Sequence, residues 1–318
     1  MSAYTLTPRS KAFRTLQDLL DSNYHAHNRS NAISYDNPDP LLILYKYAKP
    51  LHNTHESGVA SMRDVAPKSA PDSRTLSAIA LVCALFAYGN VRAIVGFLDS
   101  LPLGMLGERD CLEYFAHYEF PYYRFQSRED VKLLLLSLAR ILKSGGLERV
   151  LVPNSSPLEQ IAHLIALLCQ SAAGVLESSL AREYFSPEYR AMSLAHAPFL
   201  DSGGFSRGFA FLIGSAYGSS PLKRWNMFLR WMVRSDEIDL GIWQGLLSPS
   251  DLLLPLDTHT HRISRELGLL RRASYDIRAV FEVSENLARF CPHDPIRYDF
   301  ALYRIGQSRR FAKTKQAK

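Results

Sequence analysis

The chain has 318 residues, 47% of them hydrophobic and 21% charged, the balance of a folded globular protein and not of a disordered or fibrous one. The net charge is +6; residues 201–318 hold 18 Lys+Arg against 12 Asp+Glu, so the basic excess lies entirely in that C-terminal part. Four cysteines, at 83, 111, 169 and 291, are too widely spaced for a zinc site or an iron–sulfur cluster and read as reduced, partly buried thiols.

The N-terminal "MSAYTLTPRSKAFRTL" has no apolar signal core, which predicts a soluble, cytoplasmic protein. Residues 25–40 and 50–74 are rich in Asn, Pro, Ser and Gly and predict loops on either side of a short helix at 41–48. From 75 to 101 apolar residues recur at helical spacing, interrupted near Gly89-Asn90. "REDVKLLLLSLARILKSGG" (128–146) is amphipathic and ends in a glycine pair that signals a helix stop. The next helix is expected at 156–185, opened by Ser156 and Pro157 as cap and first-turn residue. Its apolar part (161–176), like 131–142, is too short or too polar to span a bilayer. Helices at 223–234, 258–269 (closed by Gly268) and 294–307 complete the pattern, and strand-like alternation is scarce. The expectation is an all-α protein of two small lobes. An N-terminal region (1–74) packs on the core, 75–310 is the main domain, and 311–318 is a basic tail.

The stretch "LPLDTHTHRI" (254–263) places an acid and two histidines just after an apolar run. Pro255 disfavours helix at Leu254, and Asp257 is well placed as the N-cap of the following helix. Its capping-box partner is missing, since Thr260 stands where Glu or Gln is usual. Asp257 is then a structural cap, a catalytic carboxylate, or both. His259 and His261 fall on nearly opposite faces of a helix, a poor arrangement for one metal ion. On a strand they would converge, as in the amidohydrolase barrels, but only 57 residues follow His261 to supply further ligands.

Upstream, "LIGSAYGSSPLKRWNMFLRWMVR" (212–234) has a helix–hairpin–helix outline: a helical stretch, a Gly/Ser turn, Pro221 and a new helix. Lys223, Arg230 and Arg234 share one face of that helix, opposite an apolar stripe of Trp225, Phe228, Leu229 and Met232. The basic face is either a solvated surface or a lysine whose neutral, nucleophilic form is favoured by cationic neighbours.

A hairpin lysine followed by a "PLDTH" aspartate is the arrangement of the helix–hairpin–helix DNA glycosylases, the superfamily of endonuclease III. "PLDTHTHRISRELGL" resembles the superfamily's "VDTH"-like segment. "ALFAYGNV" (84–91) resembles the end of an early helix facing the DNA, "YRFQSREDVKLLLLSLARIL" (123–142) the helix after it, and "YDFALYRIGQ" (298–307) the closing helix. The resemblance covers about 75–310 and is specific at 212–269. It is nearest to a bacterial family marked by "KRxNMFLRWMVR…DLGxW…PLDTHTHR", itself distantly like the archaeal 8-oxoguanine DNA glycosylases. The resemblance implies a two-lobed helical fold, with Lys223 as nucleophile and Asp257 as essential acid. It implies excision of an oxidised base, 8-oxoguanine, from double-stranded DNA, followed by β-elimination. It also implies a monomer in the cytoplasm, associated with the nucleoid, that needs neither metal nor organic cofactor and no membrane. Backbone groups at Gly214, Gly218, Ser219 and Ser220, with Arg224 and Arg230, would hold phosphates; Asn90, Trp225 and Trp243 would line the base pocket. There are departures from the pattern. "GSAYGSSPLK" replaces the usual "L-P-G-V-G" hairpin, Lys223 and Asp257 are 34 residues apart with an insert at 235–254, and the cluster-binding cysteine loop is absent. Two alternatives stand beside this reading: a non-catalytic DNA-binding protein of the same fold, and a metal-dependent amidohydrolase.

Overall fold

The computed structural model describes residues 11–29, 33–48, 71–194 and 205–306. In chain order its helices are α1 (Lys11–His27), α2 (Leu41–Ala48), α3 (Ser73–Leu85), α4 (Val91–Asp99), α5 (Cys111–His117), α6 (Arg128–Lys143) and α7 (Pro157–Leu176). They continue with α8 (Ser179–Tyr184), α9 (Pro187–Leu194), α10 (Arg207–Ile213), α11 (Lys223–Val233), α12 (Thr258–Glu266) and α13 (Ile277–Ala288). Residues 299–306 are also helical. No strand occurs among the described residues, only isolated bridges, so the protein is all-α as the periodicity predicts.

The chain forms two compact units, residues 33–218 and a discontinuous one made of 1–32 with 219–318. The boundary drawn at residue 74 from composition therefore does not separate the units: α1 belongs with the C-terminal elements, α2 with α3 and α4. The basic tail at 311–318 and most of the predicted loop at 50–74 lie outside the described residues.

In the unit 33–218, local chemistry sets the helix ends. Asp72 caps α3 through Thr75 N–H, and Asn90 caps α4 after Gly89 breaks the run at φ +103°. Ser127 with Asp130 and Ser156 with Glu159 form capping boxes at α6 and α7. Gly145 and Gly146, both at positive φ, end α6. The helix expected at 156–185 is two helices, because Ser178 takes an extended backbone and opens α8. α6 packs along α7, and Leu134 and Leu138 of the first and Leu164 and Leu168 of the second are buried; each such leucine contributes roughly 1.5–3 kcal/mol relative to exposure. α7, at 20 residues, is long and apolar enough by length and composition to cross a membrane, unlike the shorter apolar window read from the sequence. Half of its apolar window is buried inside the protein, which is how a core helix passes the same test.

In the other unit, α11 supplies Trp225, Phe228, Leu229 and Trp231 to the core. α1 joins it through Phe13, whose ring stacks on Phe290 at 4.2 Å, and through Asp21, which accepts from the Tyr298 hydroxyl at 2.8 Å. α1 was not among the predicted helices, although Phe13, Leu16 and Leu20, all buried, already carry helical spacing. The four cysteines are buried free thiols.

Candidate functional site

Two chain segments meet at Lys223 and Asp257, both in the discontinuous unit. Lys223 is the first residue of α11. It follows Pro221 and Leu222, and Leu222 sits in the left-handed region at φ +50°, ψ 34°, a conformation that costs a non-glycine residue about 1–2 kcal/mol. The turn is held by Asn226, buried, whose amide donates to Pro221 O at 3.1 Å while its own N–H donates to Leu222 O at 3.0 Å. No side chain caps α11. Strain of this kind, fixed by its surroundings, concentrates at functional positions.

Asp257 follows a buried extended run, Leu252–Leu256, and is the N-cap of α12. Its two carboxylate oxygens divide their work. Oδ1 accepts from His259 N–H (2.9 Å), Thr260 N–H (2.7 Å) and the Thr260 hydroxyl (3.1 Å). Oδ2 lies 3.4 Å from Lys223 Nζ. The capping box that seemed to lack a partner is complete, because Thr260 Oγ1 accepts from Asp257 N–H at 2.9 Å and so takes the part of Glu or Gln. The Lys223 and Asp257 side chains are 33% and 26% exposed, so a ligand can reach the pair. Burial works to raise the Asp257 carboxyl, but the Lys223 ammonium and the Thr260 donors outweigh it and hold the group below its ordinary value. An ionised carboxylate beside an accessible amine can stabilise a developing cation and orient a nucleophile.

Other expected site residues are placed differently. Arg230 is not a phosphate ligand: it is buried, with its guanidinium bound to Asp239 (Nη2 at 3.1 Å) and Asp299. Arg234 is buried too, bound to Asp239, Asp236 (2.7 Å) and Asp294 (2.8 Å). The basic face of α11 is thus mostly neutralised by carboxylates, and these two arginines are not the unpaired cations that the activation argument for Lys223 assumed. Trp225 and Trp243 are 2% and 1% exposed core residues, not walls of an open pocket; Trp243 packs edge-on against Phe228. Apolar rings of that size are the first to be claimed by a core. Asn90 is exposed, and its side-chain oxygen is occupied as the cap of α4, accepting from Arg92 and Ala93 N–H. Arg224 is half-buried. Gly218, Ser219 and Ser220 are exposed; Ser220 Oγ accepts from Leu222 N–H, and Ser219 O accepts from Ile277 N–H at 2.9 Å. Gly214 ends α10 at φ +69°.

The two histidines have different neighbours. His259 lies edge-on to Tyr303 (6.1 Å), whereas buried His261 lies edge-on to Tyr275 (5.7 Å), with Nε2 3.3 Å from Ser274 O. Among the described residues no group of three or more His, Cys, Asp or Glu is placed to hold a metal ion.

The unit 33–218 carries a second surface, built from the stretches 84–91 and 123–142 in which the family resemblance is also seen. Tyr123 and Gln126 exchange backbone hydrogen bonds (3.0 and 2.8 Å), so Arg124 and Phe125 form the tip of a tight turn, with Arg124 left-handed at φ +51°. The turn is fixed from below: buried Gln126 donates to Gly208 O and accepts from Tyr88, and the Tyr123 hydroxyl donates to Tyr88 O at 2.7 Å. The Arg124 guanidinium lies over the Phe125 and Tyr88 rings (5.4 and 5.8 Å). Tyr122, Phe125 and Phe211 are 70%, 60% and 47% exposed, a concentration of bare aromatic surface that calls for a partner.

Comparison with known proteins yields one family. The family described as "Protein of unknown function (DUF2400)" matches residues 65–308, and the chain belongs to it. No curated protein and no solved structure matches the chain.

Proposed function

We propose that the protein is a DNA glycosylase with β-lyase activity, of the helix–hairpin–helix two-lobed type, which removes an oxidised base, 8-oxoguanine, from double-stranded DNA. The observation that carries this reading is the partly exposed Lys223–Asp257 pair. A lysine at the first residue of a helix, behind a strained turn, meets 3.4 Å away the N-cap carboxylate of a second helix. A structural ion pair needs neither the strained turn nor the exposure.

The chemistry follows from those groups. A base stacked in a duplex is out of reach, so the damaged nucleotide swings out before reaction. Lys223, an ammonium in the resting pair, gives up one proton, which the departing base takes, and the neutral amine attacks C1′ as the glycosidic bond breaks and the base leaves with the bond's electron pair. Asp257, ionised, faces the positive charge that develops on the sugar. Opening of the sugar ring leaves an imine between Nζ and C1′. Loss of a C2′ proton then expels the 3′ phosphate by β-elimination, and water releases Lys223. No step calls on a metal or organic cofactor. Gly218, Ser219 and Ser220, exposed before α11, and half-buried Arg224 in its first turn supply phosphate contacts. The aromatic turn around Arg124 supports the same partner, since exposed rings beside a guanidinium suit unstacked bases. The protein works as a monomer on the nucleoid in the cytoplasm.

The test is borohydride trapping on a panel of duplexes with single damaged bases. The expected result is a covalent protein–DNA adduct with 8-oxoguanine duplex, absent in Lys223→Gln. Trapping that survives the substitution places the nucleophile elsewhere, and DNA binding without any adduct leaves a binding protein of the same fold.

A further inference from the structure

Within four consecutive residues, 274 to 277, three are tied to different parts of the site and the fourth anchors the segment locally. Ser274 O lies 3.3 Å from His261 Nε2, which donates to it. The Tyr275 hydroxyl donates to Leu256 O, the carbonyl next to Asp257, at 3.0 Å. Asp276 caps α13 through Ala279 N–H at 3.0 Å and pairs with Arg272. Ile277 N–H donates to Ser219 O at 2.9 Å, four residues before Lys223. This segment thus spans from the start of α12, which carries Asp257, to the loop that delivers Lys223. Yet the side chain at its centre, Tyr275, is 39% exposed. Its hydroxyl donor is committed to Leu256, so what remains for a ligand is the ring. Burial first, and then the Asp257 charge, push the phenol up to about 12, so it is a neutral hydroxyl across the physiological range. His261 backs the ring edge-on at 5.7 Å and is itself buried. An exposed aromatic group whose backbone is fixed on every side loses little freedom when a ligand packs on it, and that is the signature of a preorganised contact.

We propose that Tyr275 is a substrate-contacting wall of the Lys223–Asp257 site, that its ring packs against the deoxyribose whose C1′ meets Lys223, and that His261 is the positioning residue holding it. This rests on the glycosylase reading, because it takes the ligand to be a sugar in DNA. It also gives the second histidine of "DTHTH" a role that needs no metal. A sugar bonded at C1′ to Nζ is confined to the neighbourhood of Asp257, and the group fixed to the carbonyl beside Asp257 is Tyr275. The apolar face of a deoxyribose suits an aromatic ring better than any polar side chain.

The experiment is equilibrium binding of full-length protein to a duplex carrying one tetrahydrofuran site, an abasic sugar that cannot form an imine, against the same duplex undamaged. Tyr275→Leu is expected to weaken tetrahydrofuran-duplex binding about tenfold, and undamaged-duplex binding about twofold. Tyr275→Phe keeps the ring and loses only the tether, and should recover most of the affinity. His261→Ala should fall between the two. Unchanged discrimination in Tyr275→Leu overturns the proposal, and so does Tyr275→Phe being as weak as Tyr275→Leu, which would make the tether the whole effect. Wild-type protein that binds the tetrahydrofuran duplex but traps nothing with borohydride sinks the lyase reading and leaves the Tyr275 contact to be judged by its own variants. Wild-type protein that does not prefer the tetrahydrofuran duplex sinks the Tyr275 proposal directly.

Discussion

One face of α11 carries two kinds of cation. At its start, Lys223 meets a single carboxylate at 3.4 Å, and both side chains keep a quarter to a third of their exposure. About two and three helical turns further on, Arg230 and Arg234, 7% and 5% exposed, are enclosed by Asp236, Asp239, Asp294 and Asp299. In the sequence all three look alike, basic residues on one stripe. The difference lies in what burial does to a charge. Burying an ion costs several kcal/mol, offset only when its partners surround it. Here burial pushes the Asp239 carboxyl up to about 6 even against two guanidiniums, a sign of how strongly desolvation acts there. Such a network can fix the helix against its neighbours but has no free charge to offer a substrate. Lys223 and Asp257 keep what the network has given up, which is solvent access.

The contrast is broken most directly by removing the amine. Lys223→Gln should abolish borohydride trapping entirely, with an unchanged circular dichroism spectrum. Next in size is the network. Arg230→Ala takes from buried Asp299 its arginine and leaves Asp239 with Arg234 alone, and urea unfolding should show a loss of about 3–5 kcal/mol, the scale for breaking a buried pair. A loss below about 1 kcal/mol, accompanied by weaker DNA binding, would return Arg230 to the phosphate contacts from which its burial removes it. Asp257→Asn should be the reverse of Arg230→Ala. Asparagine caps about as well as aspartate, so stability should change by roughly 1 kcal/mol or less, while excision should fall about a hundredfold, the scale of one lost electrostatic group. The pH dependence has a definite sign. The Asp257 carboxyl is held below its ordinary value in the fold, so its contribution to stability is complete above about 3.9, the unfolded value, and is lost as the pH falls through the folded value. Melting curves of wild type and Asp257→Asn should therefore converge below about pH 4 and run parallel above pH 5.

Much of this was legible in the sequence. Helix existence and most ends followed from apolar period and caps: the Gly89-Asn90 break, the Ser156-Pro157 start and the Gly268 stop all stand where the residues put them. So did the two members of the candidate pair, as residue types in helix-start positions. What the sequence could not carry was pairing across distance. The partners of Arg230 and Arg234 come from the loop after α11 and from 294–299, and nothing in the spacing says that those aspartates turn inward. The tryptophans were open for the same reason: a large ring, whether on the apolar stripe of α11 like Trp225 or in the loop after it like Trp243, reads as wall or as core, and three-dimensional packing puts both in the core. The unit boundaries were hidden because α1 joins residues more than two hundred positions away, as in the Tyr298–Asp21 bond. Tyr275 gave no signal at all, since its place depends on tethers to His261, Leu256 and Ser219 that only the fold brings together.

The smallest expected effect concerns a third class of charge, the tail, which the sequence alone describes. Residues 304–318 hold six Lys+Arg and no acid, and deleting 312–318 removes Lys313, Lys315 and Lys318. Each cation that neutralises a phosphate contributes about 0.9 to the slope of log affinity against log salt. The deletion should therefore flatten the slope by at most about 3. It should lower affinity for damaged and undamaged duplex alike, because phosphate contacts carry no information about the base. The ratio of the two affinities should stay within about twofold, and the trapping rate at saturating DNA should be unaffected, since no tail residue belongs to the Lys223–Asp257 pair. A deletion that erases discrimination between the duplexes would place the tail inside the recognition site. A full-length protein whose affinity does not respond to salt would remove DNA as the partner, and with it the reason to read Lys223 as a nucleophile.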